Sequence, residues 1–129
     1  MRFTDNKCDP ENLSPLMLAF IGDTVYDLFV RETLLTECPR PVKKLHALAV
    51  EEVSASAQAR KIKEILHLLT EEETDIFKRG RNAHTGHVPK SADVVTYHHA
   101  TGLETLFGYL YLKGNIERLK ELFEEIHKI

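Results

Sequence analysis

The sequence predicts an all-α fold, a bundle of helices around one hydrophobic core. Three observations indicate this: apolar residues recur at helical spacing, capping residues precede most of these segments, and no segment shows the alternation typical of a strand. The chain has 129 residues, of which 43% are hydrophobic and 29% charged, the ordinary composition of a globular protein. We therefore expect a single domain that spans residues 1–129.

The first strong helix is predicted from about Ser14 to Leu35. Ser14 is a good N-cap, and Pro15 suits the first helical turn because its missing N–H is not needed there. The two prolines of the segment 38–41 end this helix. Apolar residues recur at helical spacing along it: Leu16, Met17, Phe20, Val25, Leu28 and Phe29.

The middle of the chain predicts three further helices. Residues 42–69 are rich in Ala, Leu, Lys and Glu, and we expect them to form two helices that break near residues 53–56. Thr70 and Glu73 have the spacing of a capping box, so the next helix begins there. That helix is expected to end at about residues 81–83.

The last third of the chain predicts a loop and two helices. Residues 84–93 contain Gly and Pro without periodicity, which indicates a loop. A long helix follows over about Val94–Lys113, and Gly114 is typical of its C-terminal end. Asn115 then caps a final helix with three apolar residues on one face: Leu119, Phe123 and Ile126.

The composition argues against several classes of protein. The formal net charge of −3 argues weakly against a protein that binds nucleic acid over its whole surface, so any phosphate contact needs a local patch. Cys8 and Cys38 lack the pairing and neighbouring histidines of a zinc site, although a disulfide between them stays open. Because no signal-peptide pattern or long apolar run is present, we expect no membrane association and a reduced, cytoplasmic location.

Two glycines inside predicted helices each lie close to an acidic residue. Gly22 precedes Asp23 in the first helix, and Gly108 follows Glu104 by four residues, which places those two on one helix face. Glycine inside a helix costs about 1 kcal/mol relative to alanine, and the usual reason for it is close approach of another backbone. If the two helices cross at these glycines, Asp23 and Glu104 come together.

Such a pair of acids would repel each other in its apolar surroundings unless a proton or a cation lies between them. Mg²⁺ takes hard oxygen ligands and keeps several waters, so it suits the pair and can promote phosphodiester cleavage. The alternative is that Asp23 is a solvated helix residue and that Glu104 pairs with a lysine. Asp27 lies one turn beyond Asp23, and its spacing favours a surface position.

The least acidic part of the chain runs from Lys78 to His99, with four Lys or Arg residues against one acid. Cations at the end of a helix and in the loop after it are typical of a phosphate-binding surface. Alternatively, they only complement the dipole at the helix C-terminus, which is the favoured interpretation for Lys78 and Arg79. The candidates for phosphate contact are Arg79, Arg81, Asn82 and Lys90.

Residues Leu18–Val25 resemble the signature helix of the ribonuclease III family, whose motif reads Glu-x-x-Glu-Phe-Leu-Gly-Asp followed by Ala or Ser. Residues Leu103–Leu110 resemble that family's Glu-Ala-Leu-Ile-Gly segment, in the same order along the chain. The length of the chain and the lack of a trailing double-stranded-RNA-binding domain are similar to the Mini-ribonuclease III branch of the family. Further segments that resemble this branch are residues 78–83, 89–90, 93–94 and 96–97.

The resemblance implies the fold of the ribonuclease III endonuclease domain, a helical bundle that forms a homodimer. The signature helix would lie at the subunit interface, which gives Leu16, Met17 or Phe20 a surface to bury against. Asp23 and Glu104 match the carboxylates that hold the catalytic Mg²⁺ in the family, with Mn²⁺ as a possible substitute.

The implied reaction is cleavage of double-stranded RNA, in which each subunit cuts one strand and leaves 5′-phosphate and 3′-hydroxyl ends. The expected substrate is the precursor of the bacterial large-subunit (23S) ribosomal RNA, and a ribosomal protein is a further candidate partner. In the absence of a separate RNA-binding domain, the four phosphate-contact candidates and the loop 84–93 would supply much of the RNA binding.

The sequence departs from the larger enzymes of the family at three acidic positions. Leu16 and Ala19 stand where the signature motif has its two glutamates, and Thr101 stands where an aspartate usually precedes Glu104 by three residues. A site with two protein carboxylates would need RNA phosphates to complete it. The departures favour an alternative, a catalytically inactive ribonuclease III-like domain that binds RNA or a protein partner. A helical interaction protein without RNA contact is a second alternative.

Overall fold

The computed structural model describes residues 1–83 and 93–129, and these residues form helices with no strand among them. The all-α prediction is confirmed. The α-helices are α1 (Pro15–Glu37), α2 (Val42–Val53), α3 (Ala55–Ile65), α4 (Glu71–Asn82), α5 (Val94–Leu112) and α6 (Ile116–His127), and short 3₁₀ turns lie at Pro10–Asn12 and Leu66–Leu68.

Most helix boundaries agree with the capping signals in the sequence. The Ser14 side chain accepts a backbone hydrogen bond and begins α1, which runs two residues past its predicted end. Thr70 and Glu73 form both hydrogen bonds of a capping box at the start of α4. Gly114 has a φ of +81°, the left-handed conformation that ends the α5 segment, and the Asn115 side chain caps α6.

The predicted helix break near residues 53–56 and the predicted loop 84–93 have different outcomes. The break near residues 53–56 is confirmed, because α2 ends before Ser54 and the Ser54 side chain accepts a hydrogen bond from the Ala57 N–H at 3.2 Å to begin α3. The predicted loop 84–93 lies outside the described residues except for Asp93, which caps α5. Lys90 lies outside them as well.

Helix α5 is the central helix of the bundle. It packs against α1, α3, α4 and α6, and every residue from Ala100 to Leu110 is buried except Glu104. The surrounding hydrophobic core takes side chains from all six helices, including Tyr26 from α1 and Phe77 from α4. The fold therefore places one half-buried acid, Glu104, in the middle of its core helix.

Helix α1 carries apolar side chains on two sides. Val25 packs into the core and Phe29 is half-buried, but Phe20 is 83% exposed. The apolar side that the spacing predicts for this helix is thus divided between core and surface. The other exposed members of it are Leu16, Met17 and Leu28.

Two remaining features concern the class of protein. Within residues 1–83 and 93–129, no helix has the length and apolar character that a membrane crossing requires. Cys8 is partly buried and Cys38 is exposed, and both are free thiols, so the disulfide that the sequence left open is not formed.

Candidate active site

Helices α1 and α5 cross at Gly22 and Gly108, as the sequence predicts. A Cβ atom on Gly22 would overlap the carbonyl group of Glu104 and would lie 2.8 Å from the Gly108 nitrogen. A Cβ atom on Gly108 would overlap the carbonyl group of Leu18 and would lie 3.1 Å from the Gly22 nitrogen. Both positions require glycine because the two backbones touch there.

The crossing brings the side chains of Asp23 and Glu104 into contact. Asp23 is exposed on α1, whereas Glu104 is half-buried on α5. Burial, the charge of Asp23 and a hydrogen bond between the two carboxyl groups raise the pKa of Glu104 from 4.5 to about 8, against an opposing hydrogen bond from Gln58. Without a cation, the pair therefore holds a proton at neutral pH.

The chemistry of this pair suits a divalent cation with oxygen ligands. A cation between two carboxylates removes their repulsion, and the exposure of Asp23 leaves the site open to solvent. In the part of the chain that the structure describes, no group of three or more His, Cys, Asp or Glu side chains is arranged to hold a metal ion. An ion bound by Asp23 and Glu104 would take its other ligands from water or from a phosphate group.

Among the described residues, no further charged side chain joins the pair. The Asp27 carboxylate accepts a hydrogen bond from Arg31 Nε at 2.9 Å on the surface of α1, as its spacing predicts. Among the described residues, the side chains that act on Glu104 are Asp23 and Gln58, and none of the described lysines pairs with it.

Gln58 is a neighbour of the site that the sequence analysis does not single out. It lies on α3 with 2% of its surface exposed, and its side chain hydrogen-bonds Glu104. The sequence does contain a signal for it, because Gln58 shares a helix face with the buried residues Ile62 and Ile65. A polar residue in such an apolar stripe needs a hydrogen-bond partner when it is buried.

A second close approach joins α4 to α5. A Cβ atom on Gly80 would lie 2.5 Å from Thr105 Cβ and 3.0 Å from Gly102 Cα. A Cβ atom on Gly102 would in turn lie 2.6 Å from Phe77 Cε1. Because Thr105 directly follows Glu104, this contact fixes the last turn of α4 beside the acid-bearing part of α5. No pattern in the sequence indicates this packing role for Gly80 or Gly102.

Three of the four candidates for phosphate contact lie in that last turn of α4. Arg79 pairs with Asp75 at 3.5 Å, and its side chain is 60% exposed. The Arg81 guanidinium lies 5.9 Å from the centre of the Phe77 ring, and its Nε donates to Asn82 Oδ1 at 3.2 Å. Neither arginine is buried, so both charges are available at the surface, and their contact with RNA stays a prediction.

Comparisons of the chain with a family model and with known proteins point to the same family. Residues 16–115 match the Ribonuclease III domain family. The chain is 50% identical over 113 residues to the Mini-ribonuclease 3 of Thermoanaerobacter sp. (strain X514), with 88% of this chain and 80% of that protein covered. It is 47% identical over 116 residues to the Mini-ribonuclease 3 of Symbiobacterium thermophilum, with 90% and 89% covered.

The fold has a counterpart among crystal structures. A protein from Fusobacterium nucleatum superimposes with a TM-score of 0.84 at 32% sequence identity, over 95% of this chain and 98% of that one. The similarity therefore extends over nearly the full length of both chains and includes the helices that carry Asp23 and Glu104.

Proposed function

This chain belongs to the ribonuclease III family, within its Mini-ribonuclease III branch, and we propose that it is a Mg²⁺-dependent endonuclease that cleaves double-stranded RNA. The observation that carries the proposal is the contact between Asp23 and Glu104 where α1 crosses α5. Family membership supports an endoribonuclease. The metal requirement and the role of the two acids rest on the chemistry of the site.

Asp23 and Glu104 would hold the metal ion, and Mn²⁺ would substitute for Mg²⁺. When bound, the ion supplies stabilisation of the charge on the scissile phosphate and favours loss of a proton from the attacking water. Glu104 would give up its own proton on binding, because the charge of the cation would outweigh the burial and the repulsion from Asp23 that raise its pKa. Asp23 lies on the exposed side of the pair, where the RNA backbone can reach it.

The cations at the end of α4 would bind RNA phosphates. Double-stranded RNA is recognised mainly by shape and through phosphate and 2′-hydroxyl contacts, which a few exposed arginines can supply. The contact of Gly80 with Thr105 supports this role for Arg79 and Arg81, because it fixes their turn against the helix that carries Glu104. Asn82 and Lys90 complete the proposed RNA-binding surface.

We further propose that the protein is a homodimer that pairs through the exposed apolar side of α1. Phe20, Met17 and Leu28 would be buried by a second copy, and an apolar groove lined by Ile21 and Tyr111 lies beside them. Two subunits provide two sites, one for each RNA strand. Sedimentation at micromolar concentration should give a dimer for the native chain and a monomer for Phe20→Glu; a native monomer would contradict the proposal.

The finer details of the reaction follow from the family. Each subunit would leave a 5′-phosphate and a 3′-hydroxyl end, and the substrate would be the precursor of large-subunit (23S) ribosomal RNA. A cytoplasmic location and a ribosomal protein that presents the substrate stay predictions.

The test is cleavage of a long double-stranded RNA and of a 23S precursor transcript, with Mg²⁺ and with Mn²⁺. The native chain should cut both, whereas Asp23→Asn and Glu104→Gln should bind RNA and lose cleavage by at least about a thousandfold, since each removes one of two metal-site carboxylates. Asp27→Asn is the matched control, because Asp27 pairs with Arg31 and should be dispensable.

One result would favour the alternative function. The missing third acid at the site is the observation that supports an inactive RNA-binding domain. If the native chain binds double-stranded RNA but cuts neither substrate with either metal, that function replaces the nuclease.

A further inference from the structure

Gln58 occupies a core position that an apolar residue could fill. It is 2% exposed on the inner face of α3, in line with Ile62 and Ile65. Lys61, another buried polar side chain of this helix, forms an ion pair with Glu52 close by. Gln58 instead reaches the half-buried acid of the active site.

The contacts of Gln58 fix the orientation of its amide group. Its Nε2 donates to the backbone carbonyl of Val53 at 3.0 Å, at the end of α2. The same side chain hydrogen-bonds the Glu104 carboxylate. The Val53 carbonyl only accepts, which fixes the amide nitrogen, and an ionised Glu104 carboxylate likewise only accepts, so the amide presents its N–H groups to both. Gln58 thereby links the α2–α3 junction to the carboxylate on α5.

The oxygen atom of the amide group indicates that Gln58 has a role besides packing. Its Oε1 atom is buried and has no hydrogen-bond partner among the described residues. An unpaired buried acceptor costs stability, and an apolar side chain of the same shape would avoid that cost. The polar residue is therefore best explained by what its N–H groups do for Glu104.

We propose that Gln58 is a positioning residue, which holds the Glu104 carboxylate by a donated hydrogen bond in the orientation that binds the divalent cation. This inference rests on the metal-binding role proposed above for Glu104. Removal of a residue that hydrogen-bonds a metal ligand without touching the metal commonly lowers metal affinity or activity by about 10- to 100-fold.

The test compares Gln58→Met with the native chain. Methionine keeps the size of the side chain and removes its donors, including the one to the Val53 carbonyl, so the melting temperature of the metal-free protein is measured alongside. Mn²⁺ affinity of the RNA-free protein, measured by electron paramagnetic resonance, should fall about tenfold or more. In cleavage assays kcat should fall by a similar factor while KM for RNA stays unchanged.

Lys61→Met is the matched control, because Lys61 lies one turn along α3 from Gln58, is equally buried and does not contact the acid pair. It should keep native Mn²⁺ affinity and native kcat. Unchanged Mn²⁺ affinity and kcat in Gln58→Met would overturn the proposal. So would a loss in both variants that follows their melting temperatures, because Gln58 would then act only through stability.

The experiment separates this inference from the nuclease proposal. If the native chain cuts no RNA, the Mn²⁺ comparison still decides the role of Gln58. If the RNA-free native chain binds Mn²⁺ too weakly to measure, urea unfolding of Gln58→Met, Glu104→Gln and the double variant decides it. Non-additive changes in unfolding free energy support the link, and additive changes overturn it.

Discussion

Helix α5 is crossed at two glycine contacts, which differ in the kind of atom that lies against the glycine. At Gly22 and Gly108 the nearest atoms of the opposing helix are backbone atoms, which cannot move without shifting a whole helix. At Gly80 and Gly102 the two nearest atoms belong to side chains. The first crossing is therefore the more rigid one.

The two crossings also differ in the residues beside them. The first carries the acid pair, because Asp23 directly follows one glycine and Glu104 lies one turn before the other. The second carries cations, because Arg79 and Arg81 flank Gly80. Close helix approach is thus a packing solution in both places, and the adjacent residues determine what chemistry each place offers.

The largest effect is expected at the rigid crossing. Gly22→Ala places a methyl group on the Glu104 carbonyl, so it should lower the free energy of unfolding by about 3 kcal/mol or more and abolish cleavage. Urea and thermal unfolding measure the first effect. An alanine variant with native melting and native activity would show that the backbones do not touch.

The pH dependence of stability tests the acid pair at the first crossing. The folded-state pKa of Glu104 is raised, so the folded protein keeps a proton that the unfolded chain releases, and metal-free stability falls as pH rises from 4.5 to about 8. Glu104→Gln cannot titrate and should lack this fall. At about pH 9 it should be more stable than the native chain by on the order of 2 kcal/mol, and at about pH 4 nearly equal.

Denaturant unfolding of the metal-free proteins at the two pH values measures this difference. Saturating Mg²⁺ should reduce this difference in stability, because the ion stabilises the folded protein only where both carboxylates of the site are present. Parallel pH profiles for the two proteins would show that the pKa of Glu104 is not raised in the folded protein.

A smaller effect is expected where α4 crosses α5 at Gly80 and Gly102. Gly80→Ala meets the Thr105 side chain with a smaller overlap than Gly22→Ala meets the Glu104 carbonyl, so it should cost less, about 1 to 2 kcal/mol. Thermal unfolding of the two alanine variants side by side measures the contrast. Equal costs would remove the distinction between a backbone contact and a side-chain contact.

The smallest effect concerns Arg81, which follows Gly80, and Lys90, which lies outside the described residues. Arg81→Glu and Lys90→Glu should each weaken binding of double-stranded RNA several-fold, with a shallower salt dependence and little change in melting temperature. Lys128→Glu makes the same change in net charge just after the end of α6, where Lys128 pairs with Glu125, and should bind like the native chain. Equal RNA affinity in all three variants would remove the end of α4 from the binding surface.

Local signals in the sequence were enough to predict the helices and the approach of the two acids. Caps at Ser14, Thr70 and Asn115 act within one helical turn, so the residues that form them can be found by spacing alone. Gly22 and Gly108 were informative because glycine is costly inside a helix and so indicates a neighbour. The sequence by itself therefore determined the all-α class, the helix boundaries and the acids that come together.

Only the tertiary structure decided which distant groups share the site. Gln58, Gly80 and Gly102 acquire their roles from residues on other helices, and the spacing within one helix does not specify how the next helix packs. The same holds for Phe20, whose position in an apolar pattern did not show that it faces away from the core. Burial and cross-helix contact depend on the whole packed bundle, whereas capping and periodicity depend on a few neighbouring residues.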